Sequence, residues 1–231
     1  MLKNAKGDRH NVSNWRPIAV CAAVYRIYAA VLARRISDWA RENSIISSAQ
    51  KGFMPAEGVF EHLFMLDQIL EDSRVGRRNV CVTWLDIRNA FGSVRPDCIL
   101  QVLEHFHAPI YMREVVADLY KSGSFTLKGG DGRSVEVETQ KGVRQGCPLS
   151  GVLFNLVVEV LLRGVVGSGS ADGYRMGRDR SRVIQALAYA DDICLVANSS
   201  PRGRVLSLTT RNALPCACVR AKVCVDSTQA H

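Results

Sequence analysis

Three aspartates are the residues of this chain best suited to chemistry. Asp191 and Asp192 are adjacent in Leu187–Val196 (LAYADDICLV), a stretch otherwise almost wholly apolar. Asp86 lies near the end of VCVTWLDI (80–87), a β-branched and aromatic run that reads as a buried strand. A buried carboxylate without a partner is costly or takes up a proton. If the two segments are neighbouring strands, three carboxylates converge on one sheet edge and raise each other's pKa. Hard divalent cations with oxygen ligands, Mg²⁺ above all, resolve that conflict. Two such ions, roughly 4 Å apart, serve in-line phosphoryl displacement: one activates the attacking oxygen and the other steadies the leaving group. A plainer explanation covers the same residues. An Asp-Asp pair can simply form or cap a turn, and an aspartate can simply end a strand. Spacing alone leaves both open.

A second feature lies between these aspartates. KGVRQGC (141–147) is a glycine-bearing basic loop, and Pro148 then opens a strongly apolar helix to about 163. A basic loop leading into a helix N-terminus suits a nucleotide or its phosphates.

The elements that must position these residues follow from periodicity. Val24, Ile27, Tyr28, Val31, Leu32, Ile36 and Trp39 recur at helical spacing over about 20–42. Arg34, Arg35 and Arg41 lie off most of that stripe and read as a solvated face. Val59, Leu63, Leu66 and Leu70 predict a helix over 57–72, and Ile99, Val102, Leu103 and Phe106 predict one opened by Pro96. Another helix fits 111–121. SFTLK-GGDGR-SVEVE predicts a hairpin around a glycine-rich turn. Residues 183–197 read as two strands, VIQALAY and ICLVAN, with Asp191 and Asp192 at the turn between them. Residues 1–14 read as a polar loop and 167–173 as a flexible connector. Helices and strands do not alternate regularly, which predicts an α+β fold with a small antiparallel sheet.

The 231 residues suffice for one large domain or two small ones. Net charge is +8, a balance that favours polyanions such as nucleic acid. Of the eight cysteines, the first five are scattered among apolar neighbours and read as free thiols in a reducing compartment. Cys216, Cys218 and Cys224 do not have a convincing zinc spacing. The N-terminus lacks the apolar run of a signal peptide. Arg26 and Glu159 interrupt the most apolar segments, so no membrane span is expected.

In order along the chain, NWRPIAV (14–20), QKGFMPAEG (50–58), WLDIRNAFGSV (84–94), GVRQGCPLSGVLFN (142–155) and LAYADDICLV (187–196) resemble the motifs of reverse transcriptases of the non-LTR retrotransposon type. The resemblance covers about 1–198, and its details suggest elements that insert at defined target sites. It implies the fingers (about 1–75) and palm (about 76–198) of a right-hand polymerase, the palm being a small antiparallel sheet backed by helices. Asp86 and Asp191 would hold two Mg²⁺ ions, with Mn²⁺ as an alternative, and the Ile87 carbonyl would complete one sphere. Asp192 would be the third, auxiliary carboxylate. The reaction implied is attack of a primer 3′-OH on the α-phosphate of a dNTP, on an RNA template. Phe91 matches the ring beneath the incoming sugar that excludes a 2′-OH. Gln145 and Gly146 match the loop that contacts the nucleotide, and Arg16 a fingers arginine that reaches the triphosphate, with Lys6 a further candidate. Gln50, Gly52 and Phe53 match a motif near the template; Phe53 reads equally as core packing. RNA held through its backbone implies affinity that falls with salt. A nuclear protein is expected from the family, and no protein partner can be inferred.

Two departures from the family pattern stand out. Gly92 occupies a position where the family commonly has aspartate. Residues 199–231 carry no matching motif and read as a divergent, out-of-frame or disordered tail, so the thumb is expected to be absent and processive synthesis weak. A catalytically dead remnant that at most binds RNA is the alternative. An unrelated palm-type nucleotidyltransferase is disfavoured by RQGCPLS and WRPI.

Overall fold

The computed structural model describes residues 2–3, 15–16, 19–55, 57–87, 89–121, 123–128, 133–138, 142–144, 146–166, 173–198 and 219–222. Two short N-terminal strands, β1 (Leu2–Lys3) and β2 (Trp15–Arg16), pair antiparallel. Helices α1 (Ala23–Glu42) and α2 (Gly58–Val75) follow, then β3 (Cys81–Ile87). Three helices come next: α3 (Ala90–Ser93), α4 (Pro96–His105) and α5 (Ile110–Lys121). The hairpin of β4 (Ser124–Lys128) and β5 (Ser134–Glu138) precedes α6 (Pro148–Val166). The chain then forms β6 (Tyr174–Met176), β7 (Arg182–Ile184), β8 (Ala186–Tyr189), β9 (Asp192–Ala197) and β10 (Val219–Lys222).

The central sheet has the order β10-β3-β9-β8, with every neighbouring pair antiparallel. β9 returns from β8 through a tight turn and inserts between β8 and β3, which gives a split arrangement of sequentially distant strands. Side chains of successive strand residues point to opposite faces. On one face Leu85, Ile87, Ile193, Leu195, Ala186 and Ala188 meet the helices. Helix α6 is nearly all apolar and packs against α1, α4 and β8. Leu103, Leu149, Leu153 and Leu162 are completely buried there. Truncating such a leucine to alanine costs about 2–5 kcal/mol.

The opposite face is covered over only part of its length. Val80, Val82, Leu187, Cys194 and Val196 pack with Ile69 of α2 and with Tyr174 and Ile184 of the small β6–β7 sheet. Tyr174 is completely buried, and its hydroxyl donates to Asp72 at 2.8 Å. Burial and that partner push the phenol up to about 12. Asp72 also pairs with Arg78 at 2.8 Å, which fixes the end of α2. Burial alone pushes the Cys194 thiol up to about 12. Further along the strands this cover ends, and Trp84, Tyr189, Asp86 and Asp192 are exposed.

Several sequence expectations change here. The segment 80–87 is not buried on both faces, because cover over β3 stops before Trp84. VIQALAY is not one strand: it breaks at Gln185, since Arg182–Ile184 pairs with Tyr174–Met176 and only Ala186–Tyr189 joins the central sheet. Asp192 is not in the turn but begins β9. In α1 only the C-terminal part of the apolar stripe is covered; Leu32, Ile36 and Trp39 are buried while Val24, Ile27, Tyr28 and Val31 are exposed. The expected apolar face of α2 likewise points outward at Val59, Leu63 and Leu70. Cys81, Cys98, Cys147 and Cys194 are buried free thiols, and Cys21 is half-buried. No helix among the described residues is long and apolar enough to cross a membrane. Cys216, Cys218 and Cys224, the GGDG turn and most of the connector and tail lie outside the described residues.

Candidate active site

The uncovered part of the sheet face carries the carboxylates. The register sets Asp86 directly opposite Asp192, and Trp84 opposite Cys194. Direct antiparallel partners share a face, with Cβ atoms about 4.5–5.5 Å apart. Asp86 and Asp192 are both exposed, while Asp191 is half-buried in the preceding turn. Ala190, the other turn residue, adopts φ +55°, a left-handed conformation that alanine rarely takes. Ile87 sends its side chain into the main core. On the other side of β3, Arg220 of β10 is the register partner of Asp86.

Oxygen donors at a solvent-accessible strand end fit a hard divalent cation by type. Among the described residues, no group of three His, Cys, Asp or Glu side chains is close enough to hold a metal ion. The structure therefore brings together the Asp86–Asp192 pair, with Asp191 adjacent in sequence.

Phe91 lies on α3, a few residues beyond Asp86, and is half-buried. Its ring stacks on Phe154 of α6 at 4.6 Å between centroids and meets the edge of Phe53 at 5.8 Å. Phe53 is 56% exposed, so the core-packing reading holds for only part of that ring. It approaches α6 at Gly151, where a β-carbon would come within 2.8 Å of the Phe53 ring.

The basic loop is strapped onto the same segment by backbone bonds. Gly142 donates to the Val94 carbonyl at 2.6 Å, and Val143 to the Phe91 carbonyl at 2.7 Å. Gly142 has φ +98°, and a β-carbon there would meet Gly92 at 3.1 Å. At Gly92 itself an added β-carbon would come within 2.4 Å of the Asn89 side-chain amide, so a larger residue there requires that side chain to shift. Gly146, exposed at φ +105°, leads into Pro148 and α6.

Arg144, in the same loop, is half-buried. Its guanidinium sits 5.2 Å from the Tyr25 ring centre and donates to the Leu119 carbonyl at 3.4 Å. Burial, reinforced by the Cys147 thiol at 3.6 Å, pushes the Tyr25 phenol up to about 12. Arg16 occupies β2 opposite Leu2. Lys6, Gln145 and the side chain of Arg16 lie outside the described residues.

Two buried polar residues of the site escaped the sequence reading as structural parts. Asn155 donates to the Gly52 carbonyl at 2.6 Å, and the side chain of Gln50 bonds to Ala190. Both residues are visible in the sequence only as members of motifs, Gln50 in QKGFMPAEG (50–58) and Asn155 at the end of GVRQGCPLSGVLFN (142–155).

A split antiparallel sheet carries acidic residues on its open end, and a basic loop is anchored on the segment that follows β3. Comparison with known proteins gives the family. A family model described as reverse transcriptase (RNA-dependent DNA polymerase) matches residues 3–215, running into the segment 199–231, where no motif stands out in the sequence. The chain is 33% identical over 188 residues to the Pol polyprotein of the type-2 retrotransposable element R2DM of Drosophila melanogaster, covering 80% of this chain and 17% of that one. It is 30% identical over 185 residues to the Pol polyprotein of the type-1 element R2 of Nasonia vitripennis, again 80% of this chain and 17% of the relative. A TX1 transposon protein of Xenopus laevis is 28% identical over 192 residues, 83% of this chain and 14% of that one. Telomerase from Candida tropicalis, solved with a fragment of telomeric RNA, has a similar fold at a TM-score of 0.63 and 10% identity, over 89% of this chain and 34% of that one. The chain belongs to the reverse transcriptase family, in its non-LTR retrotransposon branch. It spans only 17–26% of the length of the first curated relatives it matches.

Proposed function

We propose that this chain supplies the fingers (about 1–75) and palm (about 76–198) of an RNA-directed DNA polymerase that adds dNTPs to a primer 3′-OH. The observation that carries this reading is the register of Asp86 opposite Asp192 on an open sheet end, with Asp191 beside it. Asp86 and Asp191, with the Ile87 carbonyl, would hold two Mg²⁺ or Mn²⁺ ions, and Asp192 would be auxiliary. When bound, such ions lower the barrier to attack by the 3′-OH and neutralise charge on the phosphates. The chain's own residues do the rest by positioning. Phe91, whose ring stacks on Phe154 and meets the edge of Phe53, would be the floor beneath the sugar that excludes a 2′-OH. The loop around Gln145 and Gly146 lines the nucleotide, with Arg16 and Lys6 reaching toward its triphosphate. RNA is held through its backbone by a chain of net charge +8. The buried free thiols suit a reducing compartment, and a nuclear site of action and insertion at a defined target belong to the same reading.

The test is primer extension on an RNA template with Mg²⁺, beside an Asp191→Ala control. Expected is dNTP addition that requires Mg²⁺ and disappears in the control. Addition that persists in Asp191→Ala overturns the assignment of the site. Salt-sensitive RNA binding with no addition favours a remnant that only binds.

A further inference from the structure

Gln50 is 1% exposed, and two of its three side-chain hydrogen bonds go to one residue of the acidic turn. Its Oε1 accepts the backbone N–H of Ala190 at 2.8 Å and that of Gly52 at 2.8 Å. Its Nε2 donates to the Ala190 carbonyl at 3.2 Å. One amide therefore satisfies both backbone groups of the residue that immediately precedes Asp191. Reversing the amide would set an oxygen against the carbonyl and an NH₂ group against two N–H donors, so the partners themselves fix its orientation.

The surroundings hold the amide in that place. Gln50 forms a parallel bridge with Ala188, and Lys51 N–H donates to the Ala188 carbonyl at 2.8 Å. Ala188 N–H donates in turn to the Ala49 carbonyl at 2.8 Å. His62 Nε2 lies 3.0 Å from the Ala49 carbonyl and 3.1 Å from that of Ala188. Gly52 must lack a side chain, because a β-carbon there would lie 2.3 Å from the Ala190 nitrogen. Asn155 of α6 donates to the Gly52 carbonyl and ties the loop to the main core.

Ala190 needs this help. Its φ of +55° is unfavourable for a residue with a β-carbon and persists only where its surroundings over-determine it. The direction in which the chain leaves Ala190 also sets where Asp191 and Asp192 begin. We propose that Gln50 is a positioning residue for the carboxylate pair, clamping the Ala190 peptide groups so that the turn presents Asp191 and Asp192 in one fixed direction. The proposal rests on the polymerase reading for its consequence, though not for the clamp.

The test uses the full chain and compares wild type with Gln50→Met, which keeps size but loses donor and acceptor, and with Gln50→Glu, whose buried side chain as a neutral acid keeps both an acceptor oxygen and an O–H donor. Amide exchange is followed residue by residue by NMR, and single-nucleotide addition on a primed RNA template with Mg²⁺ is measured in parallel. In Gln50→Met the amides of Ala190 and Gly52 are expected to exchange at least about tenfold faster, while those in the middle of β3 and β9 keep their wild-type rates. The rate of addition is expected to fall at least about tenfold with little change in the KM for dNTP, because the fault lies in carboxylate placement rather than substrate contact. Gln50→Glu is expected to restore slow exchange at both amides and part of the rate. Unchanged exchange in Gln50→Met, loss of protection throughout β3 and β9, or a Gln50→Glu variant no better than Gln50→Met overturns the proposal. Should Gln50→Met fail to fold, Gln50→Glu decides alone: slow exchange at the two amides supports the clamp and fast exchange refutes it. If wild type adds no nucleotide, the polymerase reading fails, and the clamp is still judged on exchange.

Discussion

Phe91 shows how little of a residue's environment its sequence position reveals. Its place beyond Asp86 made it a candidate floor for the sugar, yet nothing in the sequence joined it to Phe154 or Phe53, the rings that stack on it and meet it edge-on. Those contacts hold the ring on α3 with few ways to turn aside. Replacing Phe91 with valine removes the floor and leaves a gap of several carbon atoms. The expected outcome is discrimination against rNTPs reduced by about tenfold or more, read as the ratio of rNTP to dNTP addition in single-turnover assays. Phe154→Ala should move the ratio the same way but less, because it frees the floor without deleting it. A ratio unchanged in both variants would leave Phe91 as core packing. The aspartates were legible for a simple reason: a charge within an apolar run is conspicuous. A buried amide such as Gln50 was not, since its partner lies 140 residues away and amides are common in loops.

At the scale of elements, helices were the easier part to read. Pro96 and Pro148 start α4 and α6 where an N-terminal proline is favoured, and apolar periodicity carries both. The strand at 183–189 was harder, because its alternation continues through Gln185 although its partner changes there from β6 to β9. Strand pairing is non-local, so a period of two cannot show where one partner replaces another. Glu159 gives a second example. Its charge interrupts an apolar segment of the sequence, and Arg163 stands at i+4 from it. Its other partner, Ser47 N–H at 3.0 Å, is not visible from spacing. Arg163 bonds Glu159 at 3.1 Å and the Ile45 carbonyl at 2.7 Å, and lies over the Phe106 ring. The carboxylate is 1% exposed, so removing its cation strands a buried charge. Because Arg163 itself is half exposed, solvent softens the loss. Arg163→Met is expected to cost about 3 kcal/mol in urea unfolding. A cost below about 1 kcal/mol would show that the pair behaves as a surface ion pair.

For the whole molecule, the informative element is the last strand. VRAK (219–222) has neither alternation nor length to mark it, and it falls in the segment where the sequence showed no motif. Yet β10 occupies one edge of the central sheet, and its register runs along β3 from Trp84 to Ile87, through the aspartate. Without β10, β3 would become an edge strand with an unpaired row of N–H and C=O groups beside Asp86. Such an edge is a template for another chain, and charge or cover is what normally blunts it. A chain ending at residue 198 is therefore expected to unfold at lower urea than the full chain and to associate as its concentration rises, while one ending at residue 224 keeps both properties of the full chain. Urea midpoints and light scattering over a concentration series measure the two effects. The apolar surface left on α1 and α2 is common to all three chains, so any association it causes appears equally in each and cancels from the comparison. Equal midpoints and equal scattering for the chains ending at 198 and 224 would show that β10 contributes nothing, and the sheet would then be complete with β3, β9 and β8. A difference confined to the shorter chain would make part of the supposed tail a structural member of the palm, set against the strand that carries Asp86.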